Sequence, residues 1–282
     1  MKKIVVASGK GGTGKTTFSV NLALSAEVPV TLLDCDVEEP NCHLFLPGEL
    51  RDVHTVTLPV PEVDVDRCTG CGKCATACQF NAIVTIKGKA LIFPELCHSC
   101  GLCASICPAL AIDEANLKVG EIITIDTPDF PLVYGSLRVS SPMAPLIIKG
   151  VKDRARGEDC DLQIMDAPPG TSCAAVAAVK DSDFVLLVTE PTPFGLHDLT
   201  LAVDMVREIG TPFAVAINRS DSGDDRVEVF CRNAGIEIFL KIPEERRIAE
   251  AYSIGKPIVS AIPEYRLIFR DLLSRITKEI GA

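Results

Sequence analysis

The chain has 282 residues, 47% hydrophobic and 23% charged, with no Trp and 13 Cys. Its 28 Lys and Arg against 38 Asp and Glu leave a net charge of −10, which disfavours sequence-independent DNA binding, because that rests on neutralising phosphates. No apolar run approaches the ~18 residues of a membrane span. The run Ile4-Val5-Val6-Ala7 stops at Ser8-Gly9-Lys10, too early for a secretion signal, so a cytoplasmic location without stable membrane insertion is expected.

A strand-like run over residues 3–8 leads into Gly9-Lys10-Gly11-Gly12-Thr13-Gly14-Lys15-Thr16, and a helical pattern continues through Thr17 to about residue 26. This is the phosphate-loop pattern G-x-x-x-x-G-K-S/T in its strand–loop–helix setting. The glycines let successive backbone N–H groups surround phosphates, and the helix N-terminus adds its positive end. Gly9 through Thr17 are therefore candidate nucleotide-binding residues. Lys15 is expected on the β- and γ-phosphates and the Thr16 hydroxyl on Mg²⁺.

Lys10 narrows the class. The run from Lys10 to Thr16 resembles the deviant phosphate loop of the MinD/ParA/nitrogenase-iron-protein ATPases. In that family the first lysine crosses a nucleotide-sandwich dimer to the phosphates of the facing subunit. The resemblance implies that role for Lys10, ATP with Mg²⁺ as ligands, and a homodimer or a heterodimer with a paralogue. Next, Leu32-Leu33-Asp34-Cys35-Asp36 ends a second strand and is similar to the family's switch I. It implies that Asp36 positions the attacking water, and Asp34 is a candidate for the outer shell of Mg²⁺.

Pro59-Val60-Pro61 then marks a boundary, and two cysteine blocks follow. Cys68-x₂-Cys71-x₂-Cys74-x₃-Cys78 is repeated as Cys97-x₂-Cys100-x₂-Cys103-x₃-Cys107-Pro108, at an offset of 29 residues. Gly72 corresponds to Gly101, Ala75 to Ala104, Ala82 to Ala111 and Ile83 to Ile112, which indicates an internal duplication. Eight clustered Cys in a chain without a secretion signal point to metal rather than to disulfides. The spacing resembles the bacterial two-cluster ferredoxin. That resemblance implies two [4Fe–4S] clusters, one held by Cys68, Cys71, Cys74 and Cys107, the other by Cys97, Cys100, Cys103 and Cys78. Gln79 stands where the motif has Pro; that Pro only preorganises the turn.

Residues 116–140 carry alternating, Pro-broken strand patterns. Beyond them, helices are expected over 143–156, 172–180, 196–209, 224–234, 244–253 and 264–280, and strands over 161–166, 184–189, 213–218 and 236–240. Met165-Asp166-Ala167-Pro168-Pro169-Gly170 ends an apolar strand and is similar to the family's switch II, which implies that Asp166 holds a magnesium-bound water. Asn218-Arg219 resembles the family's base-recognition pair. Pro243-Glu244, after a strand, resembles the segment beside the adenine. Three features stay open. Cys173 fits a buried structural thiol or a transient cluster ligand on a dimer axis. His197 fits a helix-capping or packing residue or one facing the nucleotide or a partner. The last helix, with Leu267, Ile268, Leu272, Ile276 and Ile280, fits a helix closing the core or a membrane-surface helix.

The expected fold is α/β: a doubly wound, mostly parallel P-loop NTPase sheet over residues 1–61 and 116–282, with an inserted α+β two-cluster ferredoxin-like module over 62–115. The function this favours is an ATPase that couples nucleotide state to electron transfer towards a redox protein partner. Two alternatives are an iron–sulfur cluster carrier or assembly ATPase, and a positioning switch with a redox-sensing module.

Overall fold

The computed structural model describes residues 1–139 and 141–281. The chain forms two compact units. The first takes Met1–His54, Ile122–Ser136 and the chain from Ala144 onward; the second takes Thr55–Glu121 and Leu137–Met143. The second unit is thus wider than the 62–115 span suggested by the cysteines.

The central strands of the first unit are β1 (Lys2–Ala7), β2 (Val30–Asp34), β8 (Leu162–Asp166), β9 (Phe184–Thr189), β10 (Phe213–Asn218) and β11 (Ile238–Ile242). Between β2 and β8 run β3 (Glu49–Val63), β4 (Ile83–Ile86), β5 (Lys89–Ile92), β6 (Ile112–Asp126) and β7 (Pro131–Leu137). The large sheet has the order β11-β10-β9-β1-β8-β2-β7-β6-β3. The pairings of β1 with β8 and β9, of β10 with β9 and β11, and of β2 with β7 and β8 are all parallel. Every residue of β2, β8 and β9 is buried. This explains their unbroken apolar runs, since a parallel sheet covered on both faces has no solvent side.

The helices are α1 (Lys15–Leu24), α2 (Lys73–Ala77), α3 (Leu102–Ser105), α4 (Ala144–Ala155), α5 (Cys173–Val179), α6 (Pro193–Ile209), α7 (Arg226–Asn233), α8 (Arg246–Ser253), α9 (Ile258–Ala261) and α10 (Glu264–Gly281). Helices α1, α4 to α8 and α10 match the expected ones to within a few residues, whereas α2, α3 and α9 were not among them. No helix of the described residues is long and apolar enough to cross a membrane.

Helix α10 closes the core with part of the apolar set read from the sequence, Leu272 and Ile276. Tyr265, Phe269, Leu272, Leu273 and Ile276 are buried, whereas Leu267 is 62% exposed. Phe269 meets Phe18 of α1 edge to face, with ring centroids 5.6 Å apart. Phe269→Ala should therefore cost about 3–5 kcal/mol, whereas Leu267→Ala should stay within about 0.5 kcal/mol. Urea unfolding of the two variants separates these outcomes, and equal losses would contradict this packing.

Pro59 and Pro61 require another correction. They lie inside β3 rather than in a linker. Because β3 ends the strand order, one of its sides is unpaired, and an edge strand tolerates residues that lack an N–H.

The second unit repeats itself. Gly72 and Gly101 cap the N-termini of α2 and α3 with φ of 74° and 71°. Ala82, Ile83, Ala111 and Ile112, two duplicated pairs, are all buried. Ile83 and Ile112 pack with Cys74 into one small core. β4 and β5 form an antiparallel ribbon whose turn, Lys87-Gly88, has positive φ at both residues, as a tight two-residue hairpin needs.

Candidate functional site

The first site lies where β1, β8 and β2 end. Val6, Asp166 and Asp34 stand opposite one another in register, so two carboxylates come to the carboxyl ends of adjacent parallel strands. Ligands of open α/β sheets bind in this position. The loop from Gly9 through Gly14 enters α1 with Gly14 at φ 99°. A Cβ at Gly14 would also meet Asn218 Nδ2 at 2.6 Å, so both conformation and space demand glycine there.

The carboxylates are held differently. Asp166 accepts hydrogen bonds from Thr16 Oγ1 at 2.6 Å and Ser19 Oγ at 3.0 Å, and Cys42 Sγ stands 3.7 Å from it. Asp34 accepts from the backbone N–H groups of Asp36, Asn41 and Cys42 at 3.0, 2.9 and 2.9 Å. The candidate outer-shell residue therefore spends its oxygens on folding the loop over residues 36–42. Lys15 is buried beside these acids. Burial pushes both Asp34 and Asp166 above the usual carboxylate range; each also faces opposing influences, the three backbone donors at Asp34 and Thr16, Lys15 and Ser19 at Asp166. Asp36 is pushed up to about 6 by burial, against the pull of Lys15.

A carboxyl with a raised native pKa keeps its proton in the folded chain where the unfolded chain has released it. Stability then falls as pH rises from the unfolded value of about 3.9 through the folded one. Nucleotide-free protein should accordingly lose more stability between about pH 4 and pH 7 than Asp36→Asn protein does. Thermal melts across that range test this, and parallel curves for the two proteins would contradict it.

The remaining candidates fall at the edge of this site. Lys10 Nζ is 3.6 Å from Glu190, which also pairs with Arg219 at 2.9 Å. Asn218 Nδ2 donates to the Thr13 carbonyl at 2.9 Å and its Oδ1 accepts from the Arg219 N–H. Pro243 and Glu244 follow β11, and the Glu244 N–H donates to Asp221 at 2.6 Å. Gly11 and Gly12 are exposed and Thr17 is half-buried. Thr13 Oγ1 is buried without a hydrogen-bond partner, a polar atom left for a ligand such as phosphate to satisfy.

Three participants were not anticipated. Ser19 was legible, lying three residues after Thr16 on the same helix face. Glu190 repeats the pattern of an apolar strand ending in an acid. Nothing local marks Cys42. Two open features are also resolved. Cys173 is exposed at the start of α5, not a buried structural thiol; the buried residues of that helix are Ala175, Ala178 and Val179. His197 is exposed too, and Thr192, not His197, caps α6 by accepting from the Gly195 N–H at 3.0 Å.

The second site consists of thiols. Cys68, Cys71, Cys74 and Cys107 border one cavity, while Cys78, Cys97, Cys100 and Cys103 border another. Cys74 borders both. The first cavity thus takes three thiols from the first block and one from the second, and the other takes three from the second block with Cys78 and the shared Cys74 from the first. At Gly70, φ is 68° and a Cβ would meet the Gly88 carbonyl at 1.9 Å, so the first loop can close against the ribbon turn only with glycine. Four thiols around one cavity form the donor set of an iron–sulfur cluster, and the residues fit that group.

Comparison with known proteins defines the class. Residues 4–258 match the CobQ/CobB/MinD/ParA nucleotide binding domain, and the chain belongs to that P-loop family. It is 35% identical over 222 residues to an uncharacterized protein of Methanocaldococcus jannaschii, covering 77% of this chain and 78% of that one. It is 25% identical over 278 residues to the iron-sulfur cluster carrier protein of Pyrococcus horikoshii, covering 91% and 79%. The septum site-determining protein MinD of Pyrococcus horikoshii, solved with Mg-ADP, shares the fold with a TM-score of 0.60 at 20% identity, covering 99% of this chain and 97% of that one.

Proposed function

We propose that this chain is a Mg-ATP-dependent ATPase whose nucleotide state governs electron transfer through two [4Fe–4S] clusters in a ferredoxin-like second unit. The observation that carries the reading is the pair of thiol-lined cavities sharing Cys74 as a common wall. Clusters in such cavities supply one-electron storage and transfer. Two adjoining cavities form a relay, whereas a purely structural role needs only one.

In the nucleotide site, Lys15 neutralises charge on the β- and γ-phosphates, and the Thr16 hydroxyl is a Mg²⁺ ligand. Asp166, already bonded to Thr16, would support the outer shell of Mg²⁺, and the ion would neutralise charge on the phosphates. Asp36 orients the water that attacks the γ-phosphate, on the loop that Asp34 ties down. Lys10 leaves Glu190 to reach the phosphates of a facing subunit, which makes the active form a dimer. Asn218 and Arg219 read the base, and Pro243 and Glu244 border it.

The test is a set of anaerobic redox titrations of the full chain, free and with Mg-ADP or Mg-ATP. A midpoint shift of about 59 mV, tenfold for a one-electron couple, is expected between nucleotide states. Identical midpoints in all three states would remove the thermodynamic coupling.

A second reading, an ATPase that carries clusters, is favoured by the exposure of Cys173 and by the likeness to the iron-sulfur cluster carrier protein. It requires a labile extra cluster. Iron content unchanged by Cys173→Ala would rule against it.

A further inference from the structure

The two thiol cavities differ in charge. Lys73 borders the cavity of Cys68, Cys71, Cys74 and Cys107. Lys89 Nζ donates to the carbonyls of Val65 and Cys68 at 2.6 and 2.7 Å, which fixes its positive charge on the loop that carries the first thiols. The neighbouring Arg67 is paired with Asp64 and Asp113, so it adds little net charge. Glu114 borders the other cavity, and among the described residues no Lys or Arg does.

Hydrogen bonding to sulfur does not separate the two sets: Cys107 Sγ accepts from the Ala111 N–H at 3.4 Å and Cys97 Sγ from the Ser99 N–H at 3.3 Å. The difference between the cavities is therefore one of charge.

Reduction adds one negative charge to a cluster. Nearby cations and N–H donors to sulfur favour the reduced form, and a nearby carboxylate disfavours it. Resting on the function proposed above, we infer that the cluster held by Cys68, Cys71, Cys74 and Cys107 is the more easily reduced of the two, and that Lys89 and Glu114 set the gap. An electron delivered by a redox protein to the Cys97 side would then pass to the Cys68 side, the Cys97 cluster being reoxidised as the Cys68 cluster is reduced. The asymmetry gives the relay a direction.

The test is an anaerobic titration of the full chain followed by electron paramagnetic resonance. A Cys71→Ser chain marks the signal of the first cluster. Lys89→Gln should lower the higher midpoint and leave the lower one in place. Glu114→Gln should raise the lower midpoint and leave the higher one. Each change should alter the constant for electron exchange between the clusters by up to about tenfold, 59 mV for a one-electron couple.

If Lys89→Gln fails to hold its cluster, Lys73→Gln takes its place with the same expected sign. Superposed waves in the unaltered chain, or substitutions that move the wrong wave or neither, overturn the inference while leaving the proposed function standing. Unaltered chain reconstituted without about eight irons overturns the proposed function and the inference together.

Discussion

Lys15→Ala should abolish useful nucleotide binding. Lys15 is buried at the mouth of the phosphate loop, beside Asp36 and Asp166. Losing a charge-assisted hydrogen bond to phosphate removes about 3 kcal/mol, somewhat more than a hundredfold in affinity. Its loss also leaves the acids of the site without their buried cation, so that ATP phosphates meet uncompensated carboxylates. Equilibrium titration with Mg-ATP measures the effect. The contrast with Lys10→Ala is informative. Lys10 is half-exposed and held by Glu190, so its removal should spare binding to the monomer and reduce turnover. Near-normal affinity in Lys15→Ala protein would show that the loop is not the phosphate site.

The second large effect concerns the fourth cysteine of each block. Cys78 borders the cavity of Cys97, Cys100 and Cys103, and Cys107 borders the cavity of Cys68, Cys71 and Cys74. A chain carrying both Cys78→Ala and Cys97→Ala should therefore lose one cluster and keep about four irons. If each block instead held its own cluster, the same pair of substitutions would damage both, and almost no iron would remain. Iron and sulfide analysis after anaerobic reconstitution distinguishes the two results. Cys68→Ala with Cys107→Ala is the mirror experiment, with the other cluster retained.

Lys10, Glu190 and Arg219 form one ion cluster. Glu190 is buried between the two cations, and a carboxylate in that position competes with phosphate for the same side chains. Its place just after β9 puts it at the carboxyl edge of the sheet, alongside the strand ends that carry Asp34 and Asp166.

Spacing alone determined much of this protein. The phosphate loop, the alternating strands and helices and the duplicated cysteine blocks are patterns of neighbouring residues, set by local geometry with periods of a few residues. The acids at the strand ends, Asp36 just after β2 and Asp166 at the end of β8, were legible for the same reason, since each is joined to an apolar run. Contacts between distant parts of the chain were not legible. Thr16 meets Asp166 across 150 positions and Cys42 meets it across 124; no local signal specifies either pairing. The hydrophobic residues of α10 fitted more than one face, and only packing against Phe18 selected that of Phe269. Pro59 and Pro61 read as a break because proline cannot donate to a ladder, and only the place of β3 at the end of the strand order made a strand possible there. Asp34 read as a metal-shell acid, and only the tertiary fold showed its three backbone N–H donors and its place beside Cys42 and Asp166. A side chain's type is written in the sequence, but its partners depend on which segments the fold brings within hydrogen-bond reach.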